Sequence, residues 1–462
     1  VPEHVNVIAI SREEPPPAFF SMHLANKTLA LIGWEDLKLR FDEARSIAAA
    51  RNPLDDRTLK MLFERSDGWA AGLILMLERM RRQGWSEDGF EAESQQAVFN
   101  YFAAQIFDTA SEDTRDTLIR TSVFPAFSLQ FAQRISARPG IERLLDELCR
   151  RQLFTYRRGS GEPNFYYHDL FREFLQERMN ETLSAGERRA LYRAAAALLA
   201  ESGSVEEAHP LFVLSEDWEE AAELVRRFAP SLLAQGRFRT LQQWILAQGD
   251  ARIGSDPWLL YWLGNALMQD DLKRAVEFLR RAFEAFGAIS DRLGQSLSAA
   301  ELIRALYYQY DDFASMDPWI EAFDRLLATP IAYPDAVSEM KICSALVLAL
   351  SGRKPGHARL PSIIARTDLL LDADIDANQK IGAGMALLVH YTIVNQLPLA
   401  QQIFDRLSPV ARSAQVTALN QAYWWLQFGY HQFRRAEIRG AEQAWEEADR
   451  FTAERGLKQT FF

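Results

Sequence analysis

The chain has 462 residues, 48% of them hydrophobic and 25% charged, with a formal net charge of -11. That length exceeds one compact core and points to roughly two to four domains, while the ordinary balance excludes a disordered or collagen-like chain. The acidic charge excludes a non-specific nucleic-acid binder acting through the whole chain, which would carry a basic face.

The two cysteines, Cys149 and Cys343, lie far apart in helical-looking segments. They make no disulfide framework and fit a reducing, cytoplasmic setting. No uncharged apolar run approaches the ~18–20 residues of a membrane span, and no basic, then apolar, leader stands at the start. No membrane partner is expected, and the Asn-X-Thr tripeptides at Asn26 and Asn180 read as chance matches. The chain opens on Val1 in mid-pattern, so it reads as a piece of a longer polypeptide.

"VNVIAISR" is a β-branched run (Val5, Val7, Ile8, Ile10) without polar alternation. Such runs suit a strand buried on both faces of a parallel α/β sheet, whose partner strands would lie upstream. The prolines of "EEPPPAFF" end it, and "LALI" at Leu29 to Ile32 predicts an edge strand. The pattern then turns helical. "FDEARSIAAAR" carries Asp42 as a cap and is closed by Pro53. "DRTLKMLFERSDGWAAGLILMLERMRRQG" predicts two helices, broken at Asp67-Gly68 and ended near Gly84. Gln95 to Thr121 predicts another helical pair, with "SEDTRD" supplying a capped start.

Between 128 and 180 the order is different. A short helix at Ala132 to Ser136 precedes "GIERLLDELCRRQL", whose Leu144, Leu145 and Leu148 share one face. "LFTYRR" then predicts a strand, "GSGEPN" a turn and "FYYH" the return strand, leading into a helix. This is the order of a winged helix, and the acidic "ERLLDEL" on its second helix favours a regulatory hinge over a DNA reader.

From Ser184 onward only helices are expected. Ala221/Val225/Phe228, Ala275/Leu279/Ala282, Ala400/Phe404/Leu407 and Ala441/Trp445/Ala448 repeat a small–bulky spacing that lets neighbouring helices nest. Gly264 and Gly429 sit where a preceding helix would cross tightly. The alanines recur unevenly rather than at the period of about 34 residues of regular tetratricopeptide (TPR) hairpins, so a degenerate TPR-like superhelix is predicted. Its Trp218, Trp244, Trp258, Trp262, Trp424 and Trp425 belong mostly to the core, a minority lining the concave surface.

Catalytic signatures are missing from the sequence: no phosphate-binding glycine loop, no zinc spacing among the seven histidines, no nucleophile elbow. The chain alone is therefore not expected to be an enzyme, and no metal is expected. Arg12 stands one step past a buried strand, at the sheet edge where α/β folds bind ligands; a solvated arginine pairing with Glu13 or Glu14 fits that position as well. "DGWAAGL" reads as a helix break with Trp69 as a core anchor, and His168 as a packed residue beside Tyr166, Tyr167 and Phe171.

In order, "VPEHVNVIAISREEPP", "LKLRFDEA", "RSDGWAAGLIL", "LIRTSVFPAFS", "LLDELCRRQLFTYR" and "YYHDLFREFLQER" resemble the MalT-type large ATP-binding regulators of the LuxR family, bacterial transcription activators of the STAND class. "DWEEAAELVRRFAPSLLAQGRFRTLQQWILA" and "DPWLLYWLGNALM" look like that family's sensor region. The resemblance covers the chain to about residue 290 and weakens after it.

The resemblance implies a mainly α chain. Residues 1–33 would be the end of an α/β nucleotide-binding domain, 34–92 a small helical domain, 93–182 a winged helix and 183–462 a TPR-like sensor superhelix. It implies that Arg12 feels the nucleotide phosphates and that His168 touches the phosphates of bound ADP and holds the closed state. Gly68 and Trp69 stand where relatives carry a Gly-x-Pro motif beside the adenine, with Trp as a departure. ATP or ADP is the implied cofactor of the intact protein, and none is expected for this chain alone, which holds neither the P-loop nor the C-terminal helix-turn-helix. The superhelix would bind a small-molecule or protein effector, the parent would self-associate, and DNA would be read through that C-terminal element. The other reading of the same helices is a TPR-type scaffold for a partner protein.

Overall fold

The computed structural model describes residues 32, 37–51, 54–66, 68, 70, 72–74, 76–77, 103–104, 107–136, 138, 140–150, 154–158, 164–309, 311–413 and 415–455. The strand expected at Val5 to Ile10, most of "LALI", Pro53, Gly84, the start of the helical pair at Gln95 and the turn at 159–163 lie outside them. Ile32 is in no strand and is exposed. The chain forms two compact units, Val1–Leu183 and Ser184–Phe462.

In the first unit, α1 spans Phe41–Arg51 and α2 Asp56–Ser66. The cap of α1 is Arg40 rather than the expected Asp42. The Arg40 carbonyl accepts the Ala44 N–H at 3.0 Å, and its own N–H donates to Glu43 Oε2 at 2.8 Å. Glu43 thereby supplies half of a capping box, which moves the start back and leaves Asp42 in the first turn, where a carboxylate suits the helix dipole. The expected break after α2 is present. Gly68 has φ +74° and accepts the Leu39 N–H at 2.8 Å; a Cβ there would lie 3.0 Å from the Lys38 Cβ, so both conformation and space select glycine.

Ser111 caps α3 (Glu112–Thr121) as the sequence predicts, accepting the Thr114 N–H. After it come β1 (Phe127–Ser128), α4 (Leu129–Ser136), α5 (Ile141–Arg150), β2 (Thr155–Arg158), β3 (Asn164–Tyr167) and α6 (Asp169–Thr182). The sheet is antiparallel in the order β1-β3-β2, pairing Phe127 with Phe165 and Thr155 with Tyr167. Phe127, Phe165, Tyr167 and Phe171 are buried beneath it, and the Tyr167 hydroxyl lies 2.7 Å from Thr121 Oγ1. On α5, Leu145 and Leu148 are buried and Leu144 is half-buried, as its amphipathic pattern requires. Helices and a small wing make this a winged helix.

Every described element of the second unit is helical. In order these are α7 (Ala185–Glu201), α8 (Val205–Leu214), α9 (Trp218–Ala234), α10 (Phe238–Leu246), α11 (Asp250–Ser255), α12 (Pro257–Leu267), α13 (Leu272–Ala288), α14 (Arg292–Gln309), a 3₁₀ turn (Phe313–Met316) and α15 (Asp317–Leu326). There follow α16 (Ala336–Arg353), α17 (Leu360–Leu370), α18 (Ala377–Ile393), α19 (Leu397–Ala411), α20 (Ala418–Arg434) and α21 (Ile438–Arg455).

The small–bulky spacing works as anticipated. Ala221, Ala275, Ala400 and Ala441 are fully buried, and so are Leu279 and Phe404. A Cβ on Gly264 of α12 would lie 2.6 Å from Leu279 Cγ of α13, and one on Gly429 of α20 would overlap Trp445 of α21. Phe228 and Trp445 are only half-buried; the Trp445 indole keeps to the rim, donating to the Leu426 carbonyl at 3.4 Å. The mainly α architecture, winged helix and TPR-like superhelix are those the sequence leads one to expect. Among the described residues no helix is long and apolar enough to cross a membrane.

Candidate functional site

The second unit encloses a cavity of about 560 Å³, lined by residues from Arg226 to Asn420. Its walls come from α9, α12, α14, α16 and the starts of α18 and α20. Asn378 closes the ring. Its side-chain amide donates to the carbonyls of Ala234 and Gln415 (3.3 and 3.0 Å), and its Oδ1 accepts from the Thr417 N–H (2.8 Å) and from Asn420 Nδ2 (3.0 Å). One side chain thus ties the end of α9 to α18 and α20 across 144 positions of sequence.

The floor is built on α12. Asp256 caps it, accepting the Trp258 and Leu259 N–H groups at 2.8 and 3.2 Å, and Pro257 opens its first turn. Trp258, Tyr261, Trp262 and Asn265 then recur at i, i+3, i+4 and i+7 and line the cavity as one stripe. Of the tryptophans, Trp244, Trp262 and Trp424 are buried; Trp218, Trp258 and Trp425 are half-buried. Facing α12, α14 contributes Leu297, Glu301, Arg304 and Tyr308 at similar spacing, and α16 contributes Lys341.

A charged cluster sits at the centre of this floor. Lys341 Nζ lies 3.0 Å from Glu301 Oε1 and donates to the Tyr261 hydroxyl at 3.2 Å. It also lies over the rings of Tyr261 and Trp262, 5.7 and 5.8 Å from their centroids. Arg304 Nε stands 3.6 Å from Glu301 Oε2. Glu301 is 3% exposed. Burial by itself would raise its carboxyl, but the Arg304 and Lys341 charges outweigh that and hold it below the usual carboxylate range. Burial acts to lower the Lys341 ammonium, yet Glu301 and Tyr261 carry it above its ordinary value. Lys341 is therefore a fixed cation, suited to holding a ligand rather than to attacking one. Among the described residues no group of His, Cys, Asp and Glu could hold a metal ion.

The residues singled out from the sequence lie in the other unit or outside the described residues. Arg12 and Trp69 are in the second category. Gly68 is the left-handed turn described above. His168 caps α6: its N–H donates to the Phe154 carbonyl at 2.7 Å, and its carbonyl accepts the Arg172 N–H at 2.9 Å. Its half-buried ring meets Phe154 edge-on at 6.2 Å, and Phe154 itself takes φ 52° to make the turn. A helix start is where backbone N–H groups converge, so the place can accept an anion as well as a packed ring.

Tyr261, Glu301, Arg304 and Lys341 were not picked out from the sequence. One signal was available. Glu301 and Arg304 are the only charges in the run "LGQSLSAAELIRALYYQY", and Lys341 precedes the apolar "ICSALVLAL"; charges inside a helix that is otherwise apolar all round must pair inward.

Residues 103–187 match the MalT winged helix domain. The chain is 25% identical over 186 residues to the HTH-type transcriptional regulator MalT of Yersinia pestis, covering 38% of this chain and 20% of that protein. To MalT of Vibrio parahaemolyticus it is 24% identical over 249 residues, 52% of this chain and 27% of the relative. The matches thus span a quarter or so of the relatives' own length. A solved STAND protein with a tetratricopeptide repeat sensor from Pyrococcus horikoshii shares the fold, with TM-score 0.57 and 14% identity over 90% of this chain and 60% of that one. Together these findings show a winged helix similar to that of MalT at 103–187 and a fold shared with that STAND protein.

Proposed function

We propose that this MalT-type chain is the sensing and regulatory part of an ATP-dependent LuxR-family transcription activator. The superhelix takes up an effector in the cavity ringed by α9 to α20, and the winged helix couples occupancy to nucleotide state and self-association. The observation that carries this reading is the buried Glu301–Arg304–Lys341 cluster on the cavity floor. Burying three charges is costly and adds little to stability compared with an apolar core, so their placement in a concave, aromatic-lined space favours a binding role.

A small-molecule library screened by thermal shift on the whole chain tests it. A compound that binds only the folded state raises Tm by mass action, and Ala234→Trp, which fills the cavity from its wall, abolishes the shift. Shifts that persist undiminished in Ala234→Trp, or no shift from any compound, refute the reading. Nucleotide coupling through His168 has its own test. In the full-length gene product, His168→Ala raises basal transcription and weakens ADP binding, whereas unchanged values for both leave His168 a packing residue.

A further inference from the structure

We infer that the effector is an organic monocarboxylate with an aromatic or branched apolar body, its carboxylate held by Arg304 and Lys341. The inference rests on the reading of this cavity as the effector site and adds the chemistry of what enters it.

Charge is the first ground. Among the described residues Arg304 and Lys341 form ion pairs with one carboxylate, Glu301, while the cavity's other acids, Asp335 and Asp376, are engaged as the caps of α16 and α18. The cluster therefore carries one uncompensated positive charge in a setting where water is largely displaced, which a single anionic group would balance. Hydrogen bonding is the second. Among the described residues the Arg304 guanidinium makes no hydrogen bond, its Nε standing 3.6 Å from Glu301 in an ion pair alone, although the side chain is only 19% exposed. An arginine has five donors in a planar fork that matches a carboxylate. Arg304 lines both the main cavity and the small recess behind it. The third ground is the surrounding wall. Trp258, Trp262, Tyr308 and Leu297 supply apolar surface, the Trp262 indole N–H has no partner among the described residues, and the Tyr261 hydroxyl, an acceptor from Lys341, retains its own hydrogen to donate.

The test titrates the whole chain with 3-phenylpropionate and its neutral isostere 3-phenylpropanamide, read by calorimetry and by intrinsic tryptophan fluorescence. The acid binds at least about tenfold tighter than the amide, the scale of one charge-assisted contact. Arg304→Gln removes that preference, and Arg304→Lys restores part of it. Because Arg304→Gln leaves Glu301 and Lys341 as a one-to-one pair, the variant keeps its fold, checked by an unchanged or raised Tm. Equal binding of acid and amide, both lost in Ala234→Trp, overturns the anion inference and leaves the effector cavity standing. Failure of the acid to bind also overturns the inference; failure of every library compound besides overturns both.

Discussion

Glu301→Gln isolates the electrostatics of the cavity floor. The substitution keeps side-chain size and removes the carboxylate that faces Lys341 at 3.0 Å and Arg304 at 3.6 Å. Two cations then remain together in a site where the replaced side chain was 4% exposed and the Lys341 side chain 10%. Breaking a buried pair by deleting one partner costs about 3–5 kcal/mol, because the charge left behind is desolvated and unpaired; for a unit of this size that is a fall in Tm of roughly 6–20 °C. The same logic gives a sign to the double variant. Adding Lys341→Met to Glu301→Gln removes one of the stranded charges, so the pair is less destabilised than Glu301→Gln alone. Scanning calorimetry on the wild type and the two variants reads both quantities, and a carboxylate probe such as 3-phenylpropionate should partly rescue Glu301→Gln by replacing the lost anion. A Tm for Glu301→Gln within a degree of wild type, or a double variant less stable than the single one, would show that water already screens these charges and that the cluster is not a buried one.

The buried His209 makes stability depend on pH. It stacks flat on Trp244 with centroids 4.7 Å apart, and burial pushes its pKa down to about 4. Below about pH 6.5 the unfolded chain takes up a proton that the folded chain refuses, so stability falls between pH 6.5 and 4 and levels off beneath that, by roughly 3 kcal/mol in all. His209→Phe keeps the stacking and should flatten that slope in urea melts at stepped pH; an unchanged slope would clear His209 of the effect. Closure of the ring can be tested at Asn378. Asn378→Ala leaves the Thr417 N–H without its 2.8 Å acceptor, a loss of about 1–3 kcal/mol. Hydrogen exchange at Thr417 should speed up with α14 and α16 unaffected, and exchange that stays at the wild-type rate would mean that Asn378 does not close the ring.

How much of this was legible beforehand depended on the range over which each feature is determined. Local chemistry carried well: the Ser111 cap, the break at Gly68, the wing and the Gly264–Leu279 crossing each depend on neighbours in sequence or on a repeat that announces its own packing. Asp42 misled because two acids compete in one first turn, and the choice between them is made by Glu43 reaching back to the Arg40 N–H, a geometry that composition does not fix. The cavity was illegible for a different reason. Glu301 and Lys341 are forty positions apart and Asn378 answers to Ala234 across 144, so their convergence is a product of superhelical curvature, the sum of small rotations at every hairpin. The sequence did hold half of the signal, since Glu301 and Arg304 stand three apart, on one face of an otherwise apolar helix, where the two can pair with each other. What it lacked was the partner helix, and it is the partner, Lys341 on α16, that turns a paired charge into a surplus one.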